Sequence, residues 1–376
     1  MTFTSLGISK TFVKELQNQG YESPYPIQEK AIPSILEKKD VLGVAKTGSG
    51  KTVAYVLPIL QLLKNQPELK NRHIPVLVLV PTRELAIQVE EVFKTFGLGL
   101  DYPSKSKAVY GGVSINPQMK TMNNVSVLVA TPGRLLELIR SKALHLSSVS
   151  TLVLDEADKM LNLGFKAEVD EILALLPKKR QNILFSATLN PEIERINELL
   201  LKNPTVVNIV PEVETVELIN QVGYFIDEEK KGPLLRFLLK DKEMQQVLIF
   251  TSSVFKADQL TVKLRKNGFN ARAIHSKKSQ GARQEALSTF KAGKLNVLVT
   301  TDLLARGIDI EFLPFVINYE LPRSPKDFIH RIGRTGRAEN PGEAITFVTE
   351  EDKHHFRVIQ KKMKHWVTMI DGDKLV

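Results

Sequence analysis

Short, mostly apolar runs recur along the chain, and each ends in a small polar cluster. Val41–Val44, Val76–Val80, Ala108–Tyr110, Val125–Ala130, Thr151–Leu154 and Asn182–Phe185 are too short for helices and lack the in-out alternation of a half-wetted sheet. Continuous burial of this kind suits parallel strands covered on both faces. Helical sequence follows each run, so the pattern predicts an α/β architecture with a doubly wound sheet. Ahead of the first run, a helix is predicted behind Ser9, with Phe12, Val13 and Leu16 on one face and Gly20 as its stop. From Gly20 to Gln28 the chain reads as a proline-punctuated turn feeding a second helix. The stretch 210–217, Val-Pro-Glu-Val-Glu-Thr-Val-Glu, has neither strand nor helix periodicity, and beyond it the alternation resumes with Val247–Phe250, Ala271–Ile274 and Val297–Thr300. The prediction is two domains, 1–209 and 218–376, joined by a linker at 210–217. A closing helix over 352–365 places Phe356, Ile359, Met363 and Trp366 at the spacing of one packing face, with a basic face opposite.

Composition narrows the class. A chain of 376 residues has length for a core in each half. Cysteine is absent, which excludes disulfides and thiolate metal sites. No apolar run approaches a membrane span and no leader pattern opens the chain, so a soluble, cytoplasmic protein with no membrane contact is expected. The formal charge of +10 favours a polyanionic partner without naming it.

The strongest chemistry lies in Ala45–Thr52, Ala-Lys-Thr-Gly-Ser-Gly-Lys-Thr, between an apolar strand and a helix. Such a loop cradles phosphates: Gly48 and Gly50 let backbone N–H groups face inward, Lys51 reaches phosphate oxygens and the Thr52 hydroxyl suits Mg²⁺. Ala45 stands where the strict pattern has glycine, and the loop alone would equally fit a kinase, a GTPase or a motor. The other strands end in Pro81-Thr-Arg83, Gly111-Gly112, Thr131-Pro-Gly-Arg134, Asp155-Glu156-Ala-Asp158 and Ser186-Ala-Thr188. In a doubly wound sheet these clusters share one edge with the phosphate loop. Asp155 then sits where a second carboxylate can hold Mg²⁺, and Glu156 where it can reach an attacking water. The Gln28 amide can donate and accept at once, which suits an adenine edge.

Taken together, Asp-Glu-Ala-Asp at 155–158, the phosphate loop, Pro-Thr-Arg-Glu-Leu-Ala, Thr-Pro-Gly-Arg and Ser-Ala-Thr resemble the DEAD-box RNA helicase family in order and spacing. In the second half, Thr301-Asp-Leu-Leu-Ala-Arg306-Gly307-Ile-Asp309 and His330-Arg331-Ile-Gly-Arg334-Thr-Gly-Arg337 resemble its last two motifs. The resemblance runs from Phe3 to about Val348 and departs locally at Ser276-Lys277-Lys278 and at 338–341. It implies two tandem RecA-like domains, each a mostly parallel sheet with helices on both faces. The cofactors it implies are ATP and Mg²⁺, the latter held by Thr52 and Asp155. Adenine and phosphates would be bound by Phe3, Gln28, Thr47, Gly48, Ser49, Gly50, Lys51 and Thr52, with Asp309 on the ribose. Glu156, Lys51 and Asp155 would carry catalysis, with Arg334 and Arg337 as arginine fingers from the other domain. RNA, single-stranded or duplex, would lie on Arg83, Gly111, Gly112, Thr131, Arg134, Thr251, Thr301 and Gly307 through its sugar-phosphate backbone. Asp158, Ser186, Thr188 and His330 would couple hydrolysis to domain closure. A monomer with partners in RNA processing or ribosome assembly is expected. Three activities stay open on these residues: an RNA helicase, an ATP-gated RNA clamp or annealing scaffold, and a DNA-directed translocase.

Overall fold

The computed structural model describes the chain except residues 46–47, 65–70, 99, 101, 103, 190, 210–218, 303–312 and 336–341, and the side chains of 191 and 192. The chain divides into two compact units, Met1–Pro211 and Glu212–Val376. The linker expected at 210–217 lies outside the described residues.

Each unit is built on a seven-stranded sheet. In the first, β1 (Val41–Val44), β2 (Val76–Leu79), β3 (Ser106–Val109), β4 (Val127–Ala130), β5 (Thr151–Leu154), β6 (Gln181–Ser186) and β7 (Thr205–Asn208) lie in the order β3-β4-β2-β5-β6-β1-β7. Every neighbouring pair is parallel. In the second, β8 (Asn220–Phe225), β9 (Val247–Phe250), β10 (Ala271–Ile274), β11 (Val297–Thr300), β12 (Phe315–Asn318), β13 (Glu343–Val348) and β14 (Thr368–Asp371) lie in the order β10-β11-β9-β12-β13-β8-β14, again all parallel. Subtracting seven from each label turns the second order into the first. The units therefore repeat one topology, that of tandem RecA-like domains.

Why the strands read as unbroken apolar runs is visible in the packing. Successive side chains leave a strand on opposite faces, and both faces are dry. In the first unit Val76, Val78, Val127, Val129, Ile183 and Phe185 join one core cluster. Their sequence neighbours Leu77, Leu79, Leu128, Ala130 and Leu184 join the other. The helix predicted behind Ser9 spans Lys10–Asn18 and buries Phe12 and Leu16.

Candidate nucleotide and nucleic-acid site

Because all strands of a sheet run the same way, their carboxyl ends share one edge, and strand order decides which clusters become neighbours. In the first unit β5, β6 and β1 lie side by side. This brings Asp155–Asp158, Ser186–Thr188 and the phosphate loop together. On the other half of the edge, β3, β4 and β2 are adjacent and gather Gly111–Gly112, Thr131–Arg134 and Pro81–Arg83. In the chain the whole second group lies between the phosphate loop and Asp155, yet in space the phosphate loop and Asp155 belong to one group.

The phosphate loop runs from β1 into the helix Lys51–Leu63, whose positive dipole end opens on it. Gly48 and Gly50 have φ of 79° and 84°, a region glycine enters without steric cost. A side chain at Gly50 is also excluded by contact, since a Cβ there would lie 2.5 Å from Gln28 Nε2 and 2.8 Å from the Tyr25 ring. Lys51 is buried and donates from Nζ to the Ala45 carbonyl at 2.8 Å. Gln28 is fully buried: Nε2 donates to the Gly50 carbonyl at 3.1 Å, and Oε1 accepts from the Tyr25 amide at 2.9 Å. The Nε2 end thus ties the upstream helix Pro26–Leu36 to the loop, while the Oε1 end caps that helix's own start. Phe3 is buried with Leu6, Ile8 and Phe12, so its ring is core here.

Asp155, at the end of β5, is buried and fully engaged. Oδ2 accepts from the Tyr55 hydroxyl and Oδ1 from the Glu156 amide, both at 2.9 Å. Burial pushes the Asp155 carboxyl above its usual range, against the pull of the nearby Lys51 charge. Tyr55 is driven well above an ordinary phenol, first by burial and then by the Asp155 charge. Glu156 turns the chain from strand into the helix Ala157–Asn162 with φ 52° and ψ 45°, a left-handed conformation costing roughly 1–2 kcal/mol for a residue with a Cβ. Its Oε1 accepts from Lys159 Nζ at 2.6 Å, with both side chains nearly buried. Oε2 is buried and has no hydrogen-bond partner among the described residues. A little further on, Asp158 accepts from the Thr188 hydroxyl at 3.1 Å, and Ser186 donates to the Thr188 carbonyl at 2.8 Å. The Ser186 carbonyl in turn accepts the Ala45 amide at 3.1 Å, which joins this cluster to the phosphate loop. Thr52 and Asp155 offer hard oxygens, the donors Mg²⁺ takes, and the orphaned Glu156 Oε2 leaves a buried acceptor beside them.

On the other half of the edge, Arg83 opens the helix Arg83–Gly97 behind Thr82, which accepts the Leu85 amide at 3.2 Å. The Arg83 guanidinium lies against Gly112, whose φ is 76° and where a Cβ would come within 2.5 Å of it. Arg134 is buried, with Nε donating to Glu137 at 2.8 Å and Nη2 to the Val113 carbonyl at 2.7 Å, while Nη1 is buried without a partner among the described residues. Thr131 takes the N-cap position of the same helix, Pro132–Arg140.

In the second unit β10, β11 and β9 are again neighbours and carry His275, Thr301–Asp302 and Thr251 at their ends. Thr251 is buried, its hydroxyl donating to the Ser253 and Thr300 carbonyls at 3.3 Å each. Arg331 belongs to the scaffold: Nη2 donates to Asp302 at 2.8 Å, Nη1 to Asn318 at 3.1 Å, and the guanidinium lies 4.9 Å from the Phe250 ring centre. Arg334 is buried in the turn after the helix Pro325–Ile332, and its carbonyl accepts the Leu313 amide at 3.0 Å. His330 lies on that helix. β8, the counterpart of β1, leads into Asp227 and the 3-10 turn Glu228–Lys230, an acidic segment in place of a glycine loop. Phosphate has no cradle there. Thr47, Gly307, Asp309 and Arg337 lie outside the described residues.

Comparison with known proteins decides the family. Residues 25–196 match the DEAD/DEAH box helicase model and residues 229–339 the helicase conserved C-terminal domain. The ATP-dependent RNA helicase CshA of Listeria monocytogenes is 40% identical, over 96% of this chain and 69% of the relative. The DEAD-box ATP-dependent RNA helicase CshA of Bacillus subtilis is 39% identical over 97% of this chain and 73% of its own length. The chain belongs to the DEAD-box RNA helicase family. Among solved structures, Dbp5 of S. cerevisiae bound to RNA and ADP BeF3 matches this helicase with a TM-score of 0.85 and 30% identity, over all of this chain and 96% of the other. A DEAD box protein from Methanococcus jannaschii is 36% identical, with a TM-score of 0.55 and coverage of 99% on both sides.

Two residues at the helicase's nucleotide site escape motif reading, Tyr55 and Lys159. Each sits three positions after a motif residue, Thr52 or Glu156, and so returns to the same helix face. A lone tyrosine in the otherwise apolar stretch Val53–Leu60 of its helix is the signal that marks the first. The burial of Asp155 also has a thermodynamic consequence. A carboxyl whose pKa is higher folded than unfolded binds its proton more tightly in the folded state, so its ionised form costs stability as pH rises through the folded value. Asp155→Asn is therefore expected to raise the melting temperature of the nucleotide-free protein at neutral pH, by about 2–4 °C for each kcal/mol recovered. A calorimetric scan showing no gain would mean that Lys51 already offsets the burial in full.

Proposed function

We propose that this helicase couples RNA-stimulated ATP hydrolysis to closure of its two units and to local, non-processive opening of short RNA duplexes. The observation that carries the reading is the partition of the first unit's strand ends, with phosphate chemistry on β5-β6-β1 and basic and glycine-rich contacts on β3-β4-β2 of one continuous edge. Lys51 and the loop amides bind the phosphates, and Glu156, with Oε2 unpartnered among the described residues, orients and deprotonates the attacking water. Thr52 and Asp155 would hold Mg²⁺, which would supply neutralisation of phosphate charge. Arg334 and Arg337 approach from the second unit to stabilise charge on the transferring phosphoryl group, and Asp309 takes the ribose. Gln28, through the Gly50 carbonyl, links adenine recognition to the loop. The Asp158–Thr188 bond, with Ser186 and His330, relays the nucleotide state into closure.

RNA lies on Arg83, Gly111, Gly112, Thr131 and Arg134 and on Thr251, Thr301 and Gly307. Contacts to the sugar-phosphate backbone position a strand without reading its sequence, and selection of RNA over DNA falls to 2′-hydroxyl contacts. A strand bent on closure no longer fits a continuous duplex. The protein acts as a monomer in the cytoplasm under this proposal. ATP turnover measured in parallel without polymer, with RNA and with DNA tests it. Strong stimulation by RNA alone is expected, and equal stimulation by DNA would replace the reading with a DNA-directed translocase.

A further inference from the structure

The last helix of the second unit, Lys353–Met363, buries Phe356, Ile359, Gln360 and Met363. Helical spacing predicts Trp366 on the same buried face, and the structure corrects this. The helix stops at Lys364, whose left-handed backbone, φ 55° and ψ 27°, redirects the chain, and Val367 takes the place in the core. Trp366 is left 70% exposed. Large aromatic side chains bury 150–250 Å² when they pack, on the order of the largest contribution one residue can make, so an open tryptophan needs an account.

Its surroundings point to a class of ligand. Arg357, Lys361, Lys362 and Lys364 are all exposed, and none of them forms an ion pair among the described residues. From His354 to Ile370 the chain holds no Asp or Glu. Arg357 and Lys361 are one helical turn apart and share a face, and the cations from 357 to 364 extend over about 10 Å at 1.5 Å per residue. The surface also lies away from the strand-end clusters. Trp366 precedes β14, which is the sheet's outermost strand beside β8, so it stands at the amino ends of the strands while Thr251 and Thr301 stand at the carboxyl ends.

We propose that this surface is a second binding place for single-stranded RNA, with Trp366 as a stacking platform for a base and Arg357, Lys361, Lys362 and Lys364 as phosphate contacts. Stacking on an exposed aromatic within a row of unpaired cations is how proteins hold single strands without sequence preference. A protein partner would call for a contiguous apolar centre with charge depleted from it, the opposite of this composition. The site lies outside the proposed catalytic edge and would anchor RNA before the two units engage it.

Trp366 is the chain's sole tryptophan, so its emission reports this surface directly. The full chain, without nucleotide, is titrated with a uridine oligomer, and labelled-RNA anisotropy is followed in parallel. Saturable quenching of Trp366 that is reversed by salt is expected. Lys361→Ala with Lys362→Ala should weaken the quenching and lower the slope of log affinity against log salt by about 1.4, at about 0.7 for each single-strand phosphate no longer neutralised. ATP turnover at saturating RNA should stay at the parental level. Labelled RNA that binds while Trp366 emission is unchanged would overturn the proposal and leave the helicase reading standing. So would an unchanged salt slope in the double variant, or an emission shift produced by anionic vesicles and not by RNA.

Discussion

Glu156→Gln is expected to abolish RNA-stimulated ATP hydrolysis while ATP binding persists. The change is isosteric, so the left-handed turn at 156 and the first turn of the helix Ala157–Asn162 keep their shape. What disappears is the proposed base. In the parent, Lys159 engages Oε1 at 2.6 Å, and Oε2 is buried with no hydrogen-bond partner among the described residues, which leaves one carboxylate oxygen to receive a proton from water. An amide cannot accept that proton, and positioned acid-base groups are worth roughly 10²–10⁴ in rate. Single-turnover hydrolysis together with equilibrium binding of a fluorescent ATP analogue checks the two halves of the expectation. Turnover within a few-fold of the parent would remove Glu156 from the mechanism.

The second large effect is expected in the second unit. Arg334→Ala should leave ATP affinity nearly intact and remove turnover by roughly 10³–10⁵, the range of arginine fingers. The reason for the split is timing: a guanidinium that meets the phosphoryl group as charge builds in the transition state lowers the barrier without holding the ground state. The Arg334 backbone carbonyl, which the substitution keeps, accepts the Leu313 amide at 3.0 Å. Arg331 anchors the same segment through Asp302, Asn318 and the Phe250 ring. Measuring Kd for ATP and kcat on the same preparation decides the matter. A large loss of ATP binding with normal residual turnover would make Arg334 a binding residue and not a finger.

Strands buried on both faces were legible because dryness on both sides leaves an uninterrupted apolar run, as in β1, β2, β5, β9 and β11. Of the four outermost strands, β3 and β10 were legible but β7 and β14 were not. β7 and β14 have only one neighbouring strand each and carry exposed residues such as Val206 and Ile370, so the run is broken by water. β8 begins with Asn220 and Gln221 and is interrupted by Gly223, and β13 is punctuated by Glu343 and Thr346, which disguises strands whose remaining positions are core. Trp366 shows the same limit in a helix. Periodicity extends a face one turn too far because it does not register that Lys364 leaves the helical region of backbone space.

At the site, local chemistry and spatial arrangement have different origins. Residue types and short spacings specify the phosphate loop, the acidic pair after an apolar strand and the family they belong to, because each depends on atoms within a few residues of one another. Which clusters meet depends on ladders between strands far apart in the chain. Asp155, Ser186 and Ala45 converge because β5, β6 and β1 are adjacent, and Tyr55 reaches Asp155 across 100 positions. No short window of sequence encodes that order. It follows from burying both faces of each sheet under connected helices, and that burial is a property of the folded unit as a whole.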